Sequence, residues 1–404
     1  MAEQAFAELK VVDFSWVLAG PLIGLYLAHH GATVIRVESM RRPDLIRTAA
    51  PYKDNKPGLN RSGQWDLGNS NKLGMGLDLT HPKGVEVAKR LVMWSDIVVE
   101  NFAPGVIERL GLGYEELRKV KPDIIMASTS NMGQTGPEAK HPGLGTILVS
   151  YAGFTSLTGW PDRSAVKPYG AYTDFLAPRF QIVAILAAIE YRRRTGKGQY
   201  LETSQMETGM HFLSPAIMDC TINRRIQIRA GNKCPFAAPH GVYPCLGDDR
   251  WCAIAVFSDE HWDALCRSMG NPAWARGSIF ATLLGRKRSE EELDNKIAEW
   301  TMNFDAEELM QRLQKDGVPA GLVENSADIQ DDIQLAHRHY YWQLDHPEIG
   351  VHHYEGPAYI LSETPAEIKM PSPLLGQHTE LVCREILGMS DEEFLDLLNQ
   401  GVFE

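Results

Sequence analysis

Three times in the first 130 or so residues a short apolar, β-branched run is joined to a helical pattern, and this alternation constrains the fold more than any other feature of the chain. The run from Leu9 to Phe14 ends in a loop, and Gly20-Pro21 opens an apolar helix that continues to about His30. Pro21 suits a first helical turn, where its missing N–H is no loss. Gly31 stops that helix, and Ala32 to Glu38 reads as the second strand of a βαβ unit. A second unit has a helix over 84–94 and a strand over 96–100; a third has a helix over 114–120 and a strand over 123–128. Such alternation implies the α/β class, with a mostly parallel sheet and ligands at the carboxyl ends of its strands.

The pattern changes after about residue 225. His240 to Cys245 and Trp251 to Val256 read as two antiparallel strands joined by the turn Leu246-Gly247-Asp248-Asp249. Helical segments follow around 259–269, 290–300 and 306–315, which together make a smaller α+β domain over 225–325. A chain of 404 residues is long enough for such a second domain.

Charge and cysteine content narrow the function classes. With 52 Asp+Glu against 40 Lys+Arg, the formal net charge is −12, which argues against a nucleic-acid partner. The Arg192-Arg193-Arg194 cluster is accounted for by a solvated helix end. The six cysteines have neither metal-ligand spacing nor a signal peptide before them, so reduced thiols in a cytoplasmic protein are expected. No apolar run reaches the roughly 18 to 20 residues of a bilayer span, and membrane insertion is not expected.

Tyr172-Thr173-Asp174-Phe175 precedes a long apolar stretch, Gln181 to Ile189, that reads as a buried helix. Taken alone, a carboxylate there is an N-cap on orphan backbone N–H groups, favoured by the helix dipole. Its company changes that reading. Val11-Val12-Asp13-Phe14-Ser15-Trp16-Val17-Leu18-Ala19-Gly20-Pro21, Glu100-Asn101-Phe102-Ala103-Pro104-Gly105 and Gly133-Gln134-Thr135-Gly136-Pro137 precede it, and Pro373-Leu374-Leu375-Gly376-Gln377-His378-Thr379 follows. Together these segments resemble the family III CoA-transferases, the group of formyl-CoA:oxalate and carnitine CoA-transferases, over essentially the whole chain.

The resemblance implies a Rossmann-like large domain built from residues 1–224 and 326–404, with the small domain inserted between them. It also implies an interlocked dimer, each ring-shaped chain threaded through the other. Asp174 would be the nucleophile: a desolvated carboxylate attacks a thioester to form an acyl-aspartyl anhydride and CoA thiolate. The thiolate returns to the aspartyl carbonyl, expels the donor acid and leaves an aspartyl-CoA thioester for the acceptor carboxylate to attack. One residue serves twice, so acyl-CoA and a small carboxylic acid are the substrates, and no metal or tightly bound cofactor is expected.

CoA offers phosphates, a pantetheine arm and an adenine. The loop Ser15 to Pro21 presents backbone N–H groups and a helix start at the end of the first strand, which suits a diphosphate or pantetheine. It is not a GxGxxG fingerprint, so a nicotinamide reading lacks its main support. Similarity to the family points to Val17 and Ala19, then Asn101, Phe102 and Arg109, as CoA contacts. A basic residue is expected just after the second strand; Ser39 stands there, with Arg41, Arg42 and Arg47 following. Lys140 matches a CoA-contacting lysine of some members. Core packing would equally explain Phe102, and a solvated charge Arg109 or Lys140.

The same superfamily holds α-methylacyl-CoA racemases, which exchange an α proton with a His and Asp pair and carry the histidine in a Gly-His-Asp sequence. Aligned on Gly153, this chain has Gly143-Leu144-Gly145 there, while His141 comes three residues early and reads as a loop histidine. A transferase is therefore expected over a racemase; a silent subunit supporting an active paralogue in a heteromer is the further alternative to a homodimer. For the acceptor, Trp16, Leu18, Tyr151, Trp160 and Tyr172 flank the expected site, and their bulk suits an aromatic or branched acid. Succinyl-CoA as donor and a benzylsuccinate-like acceptor are the resulting expectation, although packing explains each of these side chains singly.

Overall fold

A computed structural model of the chain describes residues 4–404. Six strands form one parallel sheet: β1 (Lys10–Asp13), β2 (Thr33–Glu38), β3 (Lys72–Gly76), β4 (Ile97–Glu100), β5 (Ile125–Ser130) and β6 (Tyr200–Ser204). Their order is β3-β2-β1-β4-β5-β6, so the direction of winding reverses between β1 and β4. In open α/β sheets a crevice forms at that point, outside the strand carboxyl ends.

The strands read as continuous apolar runs because both faces of the sheet are covered. Val11, Val34, Ile97 and Ile125 pack on one face with Ile23 and Leu27 of α1 (Ala19–His29) and Ile185 and Ala188 of a long helix, Tyr172–Thr195. Val12, Ile35, Val98 and Met126 pack on the other with α3 (Pro82–Trp94) and α5 (Tyr114–Val120), where Val382, Phe394 and Phe403 from the chain's end join them. Between these lie α2 (Gly63–Asn69) and α4 (Val106–Arg109), and after β5 come α6 (Gly145–Tyr151), α7 (Phe154–Leu157), α8 (the Tyr172–Thr195 helix), α9 (Gln205–His211) and α10 (Ser214–Asn223).

Strand β3 is absent from the sequence reading, and its glycines explain why. A Cβ on Gly74 would lie 2.9 Å from Pro373 Cβ, and one on Gly76 2.7 Å from the Phe403 carbonyl oxygen. The backbone must stay bare where the C-terminal segment crosses it, at the expense of strand propensity. His378 Nδ1 accepts from Gly74 N (3.1 Å), Thr379 Oγ1 accepts from Gly76 N (2.9 Å), and His378 N donates to Gly74 O (2.8 Å). The Pro373 to Thr379 motif thus closes the edge of the sheet, where unpaired backbone groups would otherwise remain.

The chain divides into two compact units. The first comprises the chain up to Thr155, Lys167–Ile226 and Gln334–Glu404, and the second comprises Ser156–Val166 and Gln227–Ile333. Within the second, β7 (His240–Pro244), β8 (Trp251–Ala255) and β9 (Ala320–Leu322) form an antiparallel sheet in that order. Its core includes Tyr243, Cys252, Ile254, Trp262, Leu293 and Leu309. In the first unit, β10 (Tyr341–His346) and β11 (Gly350–Glu355) form a separate antiparallel hairpin.

Helix α8 corrects two sequence readings. Its 24 residues are long and apolar enough to cross a membrane by length and composition, contrary to the expectation that no such stretch exists. It carries Ile185 and Ala188 fully buried against the sheet, as a core helix does. It also starts earlier than read: Ala171 is the N-cap, so Asp174 lies inside the first turn rather than before it, and Pro178 follows one turn later.

Candidate active site

At the β1/β4 reversal the chain leaves β1 through Phe14 to Leu18 and leaves β4 through Asn101-Phe102. The two loops are tied reciprocally: Trp16 N donates to Asn101 Oδ1 (2.6 Å), and Asn101 Nδ2 donates to Trp16 O (2.8 Å). Val17 N donates to both oxygens of Asp44, at 3.0 and 2.9 Å. Val17 has φ of +63°, a left-handed conformation rare for a β-branched residue. Asp44 holds it there and is itself held by Arg36 Nη2 at 2.6 Å, with both side chains buried. Arg36 and Lys72 share Asp13, at 3.9 and 2.9 Å, and burial pushes the Lys72 ammonium down to about 8.

These bonds take up three of the amides that the sequence reading offered to phosphates. Ser15 N donates to Asp13, Trp16 N to Asn101 and Val17 N to Asp44. The loop is a braced wall, and Trp16, Val17, Leu18 and Ala19 line the cavity above it. Asp44→Ala should remove the brace and leave Arg36 buried without its closest partner, which costs about 3–5 kcal/mol. A thermal melt should show the loss, and KM for acyl-CoA should rise by about an order of magnitude as the wall relaxes.

A cavity of about 260 Å³ opens above this wall. Asp174 lines it with Trp16, Val17, Leu18, Ala19, Asn101, Phe102, Lys140 and His141. Asp174 is only 8% exposed, and burial pushes its carboxyl up to about 7. The start of α6 lies against it: a Cβ on Gly145 would fall 2.4 Å from Asp174 Oδ1 and 2.5 Å from Oδ2. A carboxylate acting as nucleophile must be ionised, so with Asp174 in that role the first half-reaction, read as release of the donor acid from acyl-CoA alone, should rise with pH through about 7 and level off above it.

A second cavity, of about 410 Å³, shares Trp16 and Phe102 with the first. Those two rings meet edge to face, 6.1 Å between centroids, and Arg42 lies 5.3 Å over the Trp16 ring. Arg41 also lines this cavity, where it pairs with Glu404 (2.8 Å) and approaches Asp78 (3.8 Å). Arg47 is excluded from ligand contact: it is buried, bonded to Glu38 at 2.8 Å and stacked on Trp65 at 3.5 Å.

Of the residues singled out from sequence, Arg109, Tyr151, Trp160 and Tyr172 line neither cavity. Arg109 ends α4 beside Gly105 and lines neither. Tyr151 packs on the His141 ring at 4.7 Å, and Tyr172 meets Phe154 edge to face at 5.2 Å. Four residues that line or support the site were not read from sequence as site residues: Asp44, Glu100, Ser130 and Gln205. Glu100 accepts from Phe102 N at 2.8 Å and bonds Ser128, while burial pushes its carboxyl up to about 7. Its place at the end of an apolar strand beside the Asn101-Phe102 motif is the one signal that would have marked it.

Comparison with known proteins agrees with this geometry. The description "CoA-transferase family III" matches residues 6–379. The chain is 32% identical over 386 residues to succinyl-CoA–D-citramalate CoA-transferase of Chloroflexus aurantiacus, covering 96% of this chain and 95% of that one. It is 31% identical over 401 residues to the succinyl-CoA–L-malate CoA-transferase beta subunit of the same organism, covering 98% and 97%. A crystal structure of a CAIB/BAIF family protein from Brucella suis superimposes with a TM-score of 0.87 at 29% identity, covering 95% of this chain and 100% of that one. The match spans both the braced loop at the end of β1 and the helix that carries Asp174, and on that extent the chain is an enzyme of CoA-transferase family III.

Proposed function

We propose that this enzyme moves CoA from succinyl-CoA to a small aliphatic dicarboxylate, with Asp174 as the covalent relay. The observation that carries the reading is a buried carboxyl, pushed up to about 7, facing a cavity at the sheet's reversal point. The Asp174 carboxylate attacks the succinyl carbonyl, and the C–S bond breaks to give a mixed anhydride and CoA thiolate. The thiolate then attacks the aspartyl carbonyl, releasing succinate and leaving aspartyl-CoA. The acceptor carboxylate repeats the two steps in reverse. Desolvation of Asp174 raises its nucleophilicity once it is ionised.

The CoA moiety would lie along Trp16 and Phe102, with its adenosine end in the 410 Å³ cavity beside Arg41 and Arg42. Of these, Arg42 is the better phosphate ligand, since Arg41 already pairs with Glu404. The acceptors named for the two Chloroflexus relatives are hydroxylated aliphatic acids, and the 260 Å³ cavity carries Ser130, Asn131 and Gln205 among its walls. The named acceptors support an aliphatic acid in place of the benzylsuccinate-like one. Incubation with succinyl-CoA and a panel of dicarboxylates, with CoA esters resolved by mass, tests the reading; no transfer to any acid would remove it.

Racemisation is disfavoured on steric grounds as well. Leu144 stands where the racemase histidine would, and at Gly145, where the aspartate after it would stand, even a Cβ meets the Asp174 carboxylate. Transfer in deuterated water should therefore proceed without deuterium entering the α position of the acyl group.

The dimer is also a proposal. Phe180, Val183 and Leu186 on α8 and Ile217, Met218 and Ile222 on α10 are exposed, and apolar side chains grouped on a surface suit burial against another chain. Light scattering on the chain expressed alone should give about 90 kDa, twice 45.1 kDa. A persistent 45.1 kDa species would refute the homodimer and favour a paralogous partner.

A further inference from the structure

The cavity beside Asp174 contains two polar side chains that the mechanism above does not use. Ser130 Oγ and Gln205 Oε1 are both buried without a hydrogen-bond partner, and both residues line the cavity. Ser130 is 6% exposed and Gln205 4%. Buried polar groups are almost always paired, and leaving one unpaired costs on the order of 1–3 kcal/mol. Two such groups in one cavity, next to a nucleophile, indicate a ligand atom that satisfies them.

Their closeness follows from the sheet register. Ser130 ends β5 and pairs with Ser204, the last residue of β6, so Gln205 is one residue beyond Ser130's partner at the same sheet edge. Ser204 caps α9 by accepting from Glu207 N (3.3 Å), and Met206 N donates to Asn131 O (3.0 Å), which fixes the direction in which Gln205 leaves the strand. Gly209, four residues along the same helix face, approaches Thr173: a Cβ on it would be 3.2 Å from Thr173 Cγ2. Thr173 immediately precedes Asp174. The face of α9 that bears Gln205 is therefore held against the turn that bears the nucleophile.

The chemistry of the pair selects its ligand. A hydroxyl and a primary amide are neutral donors; rotation of the amide exchanges its nitrogen and oxygen ends, so Gln205 can present N–H to the cavity. Neutral donors beside a nucleophile suit an oxygen on which negative charge develops, as when a carboxylate adds to an acyl carbonyl and its C=O becomes C–O⁻. We infer that Ser130 and Gln205 donate to the carbonyl oxygen of the acyl group that Asp174 attacks, stabilising the tetrahedral intermediate formed at that carbon, and again the one through which the new acyl-CoA forms. This rests on the transferase reading above. No proton is transferred in the step; the donors keep their hydrogens, and the oxyanion collapses by expelling thiolate or carboxylate.

The test compares steady-state constants for wild type, Gln205→Leu and Ser130→Ala, with succinyl-CoA and whichever dicarboxylate the wild type accepts. Removing one oxyanion donor lowers kcat by about 10²–10³-fold in comparable sites. A fall of that size in Gln205→Leu, with KM for both substrates changed less than about threefold and the melting temperature preserved, is the expected result. Ser130→Ala removes a single oxygen and keeps the test alive if the Gln205 variant fails to fold; it should show the same kcat-only signature. Unchanged kcat in Ser130→Ala and a folded Gln205→Leu, or a loss confined to KM for the acceptor acid, would overturn the assignment. A wild type without any transfer activity would instead overturn the transferase reading itself, so the two failures are separable.

Discussion

Asp174→Ala should abolish CoA transfer, lowering kcat by at least about 10⁴-fold, because both halves of the exchange pass through the same carboxylate. The protein should remain folded and bind CoA with nearly unchanged affinity, since Asp174 does not line the 410 Å³ cavity proposed for the adenosine end. The stability effect has a definite sign. The carboxyl's value in the fold, about 7, lies above its ordinary value of 3.8, so the folded state holds the proton more tightly. The corresponding stability is fully present below pH 3.8 and is lost as pH rises through 7. At pH 8 the Ala variant should therefore melt no lower than wild type, while turning over nothing measurable. Borohydride or hydroxylamine treatment after incubation with acyl-CoA should modify the wild-type residue and leave the variant unlabelled. Retention of more than a few per cent of the rate would take Asp174 out of the mechanism.

Gly145→Ala should come second in size, and it tests geometry rather than chemistry. A methyl at this position would sit within about 2.5 Å of the carboxyl carbon and both oxygens of Asp174. Contacts that short are not tolerated, and since Gly145 is backbone at the start of α6, the side chain that must yield is the nucleophile. Displacement of a reacting group by about 1 Å costs on the order of 100-fold in rate. A fall of that order in kcat is expected, with KM for acyl-CoA within a few-fold of wild type, because the CoA walls are untouched. A variant with wild-type kcat would mean that α6 moves in preference to Asp174. Leu144, its exposed neighbour, should accept Ala with little effect on kcat, which separates steric pressure on the nucleophile from general disturbance of the loop.

The βαβ alternation was legible because a strand covered on both faces reads as an unbroken apolar run, and Val11-Val12, Val34-Ile35 and Ile97-Val98 all do. Strand β3 was not, because Gly74 and Gly76 answer to a segment some 300 residues later in the chain. The charged residues behind the site were equally hidden. Asp44 looks like a polar residue in a loop, and nothing local reports that it takes the Val17 amide and pairs with Arg36 in the core.

The sequence by itself determined the α/β class, the segments that meet at the site and the carboxylate to suspect, since these depend on local periodicity and on motifs read along the chain. Only the tertiary structure decided what that carboxylate experiences. Helix α8 starts before Asp174, so the residue is turned into the fold instead of capping a helix end in solvent. Burial pushes its carboxyl up to about 7, while Gly145 bars a second carboxylate from its side. Likewise it separated Arg41 and Arg42, on the cavity shared with Trp16, from Arg47, spent on Glu38, and from Arg109, which faces neither cavity. Desolvation and steric exclusion are sums over atoms brought together from distant parts of the chain, and no window of neighbouring residues contains them.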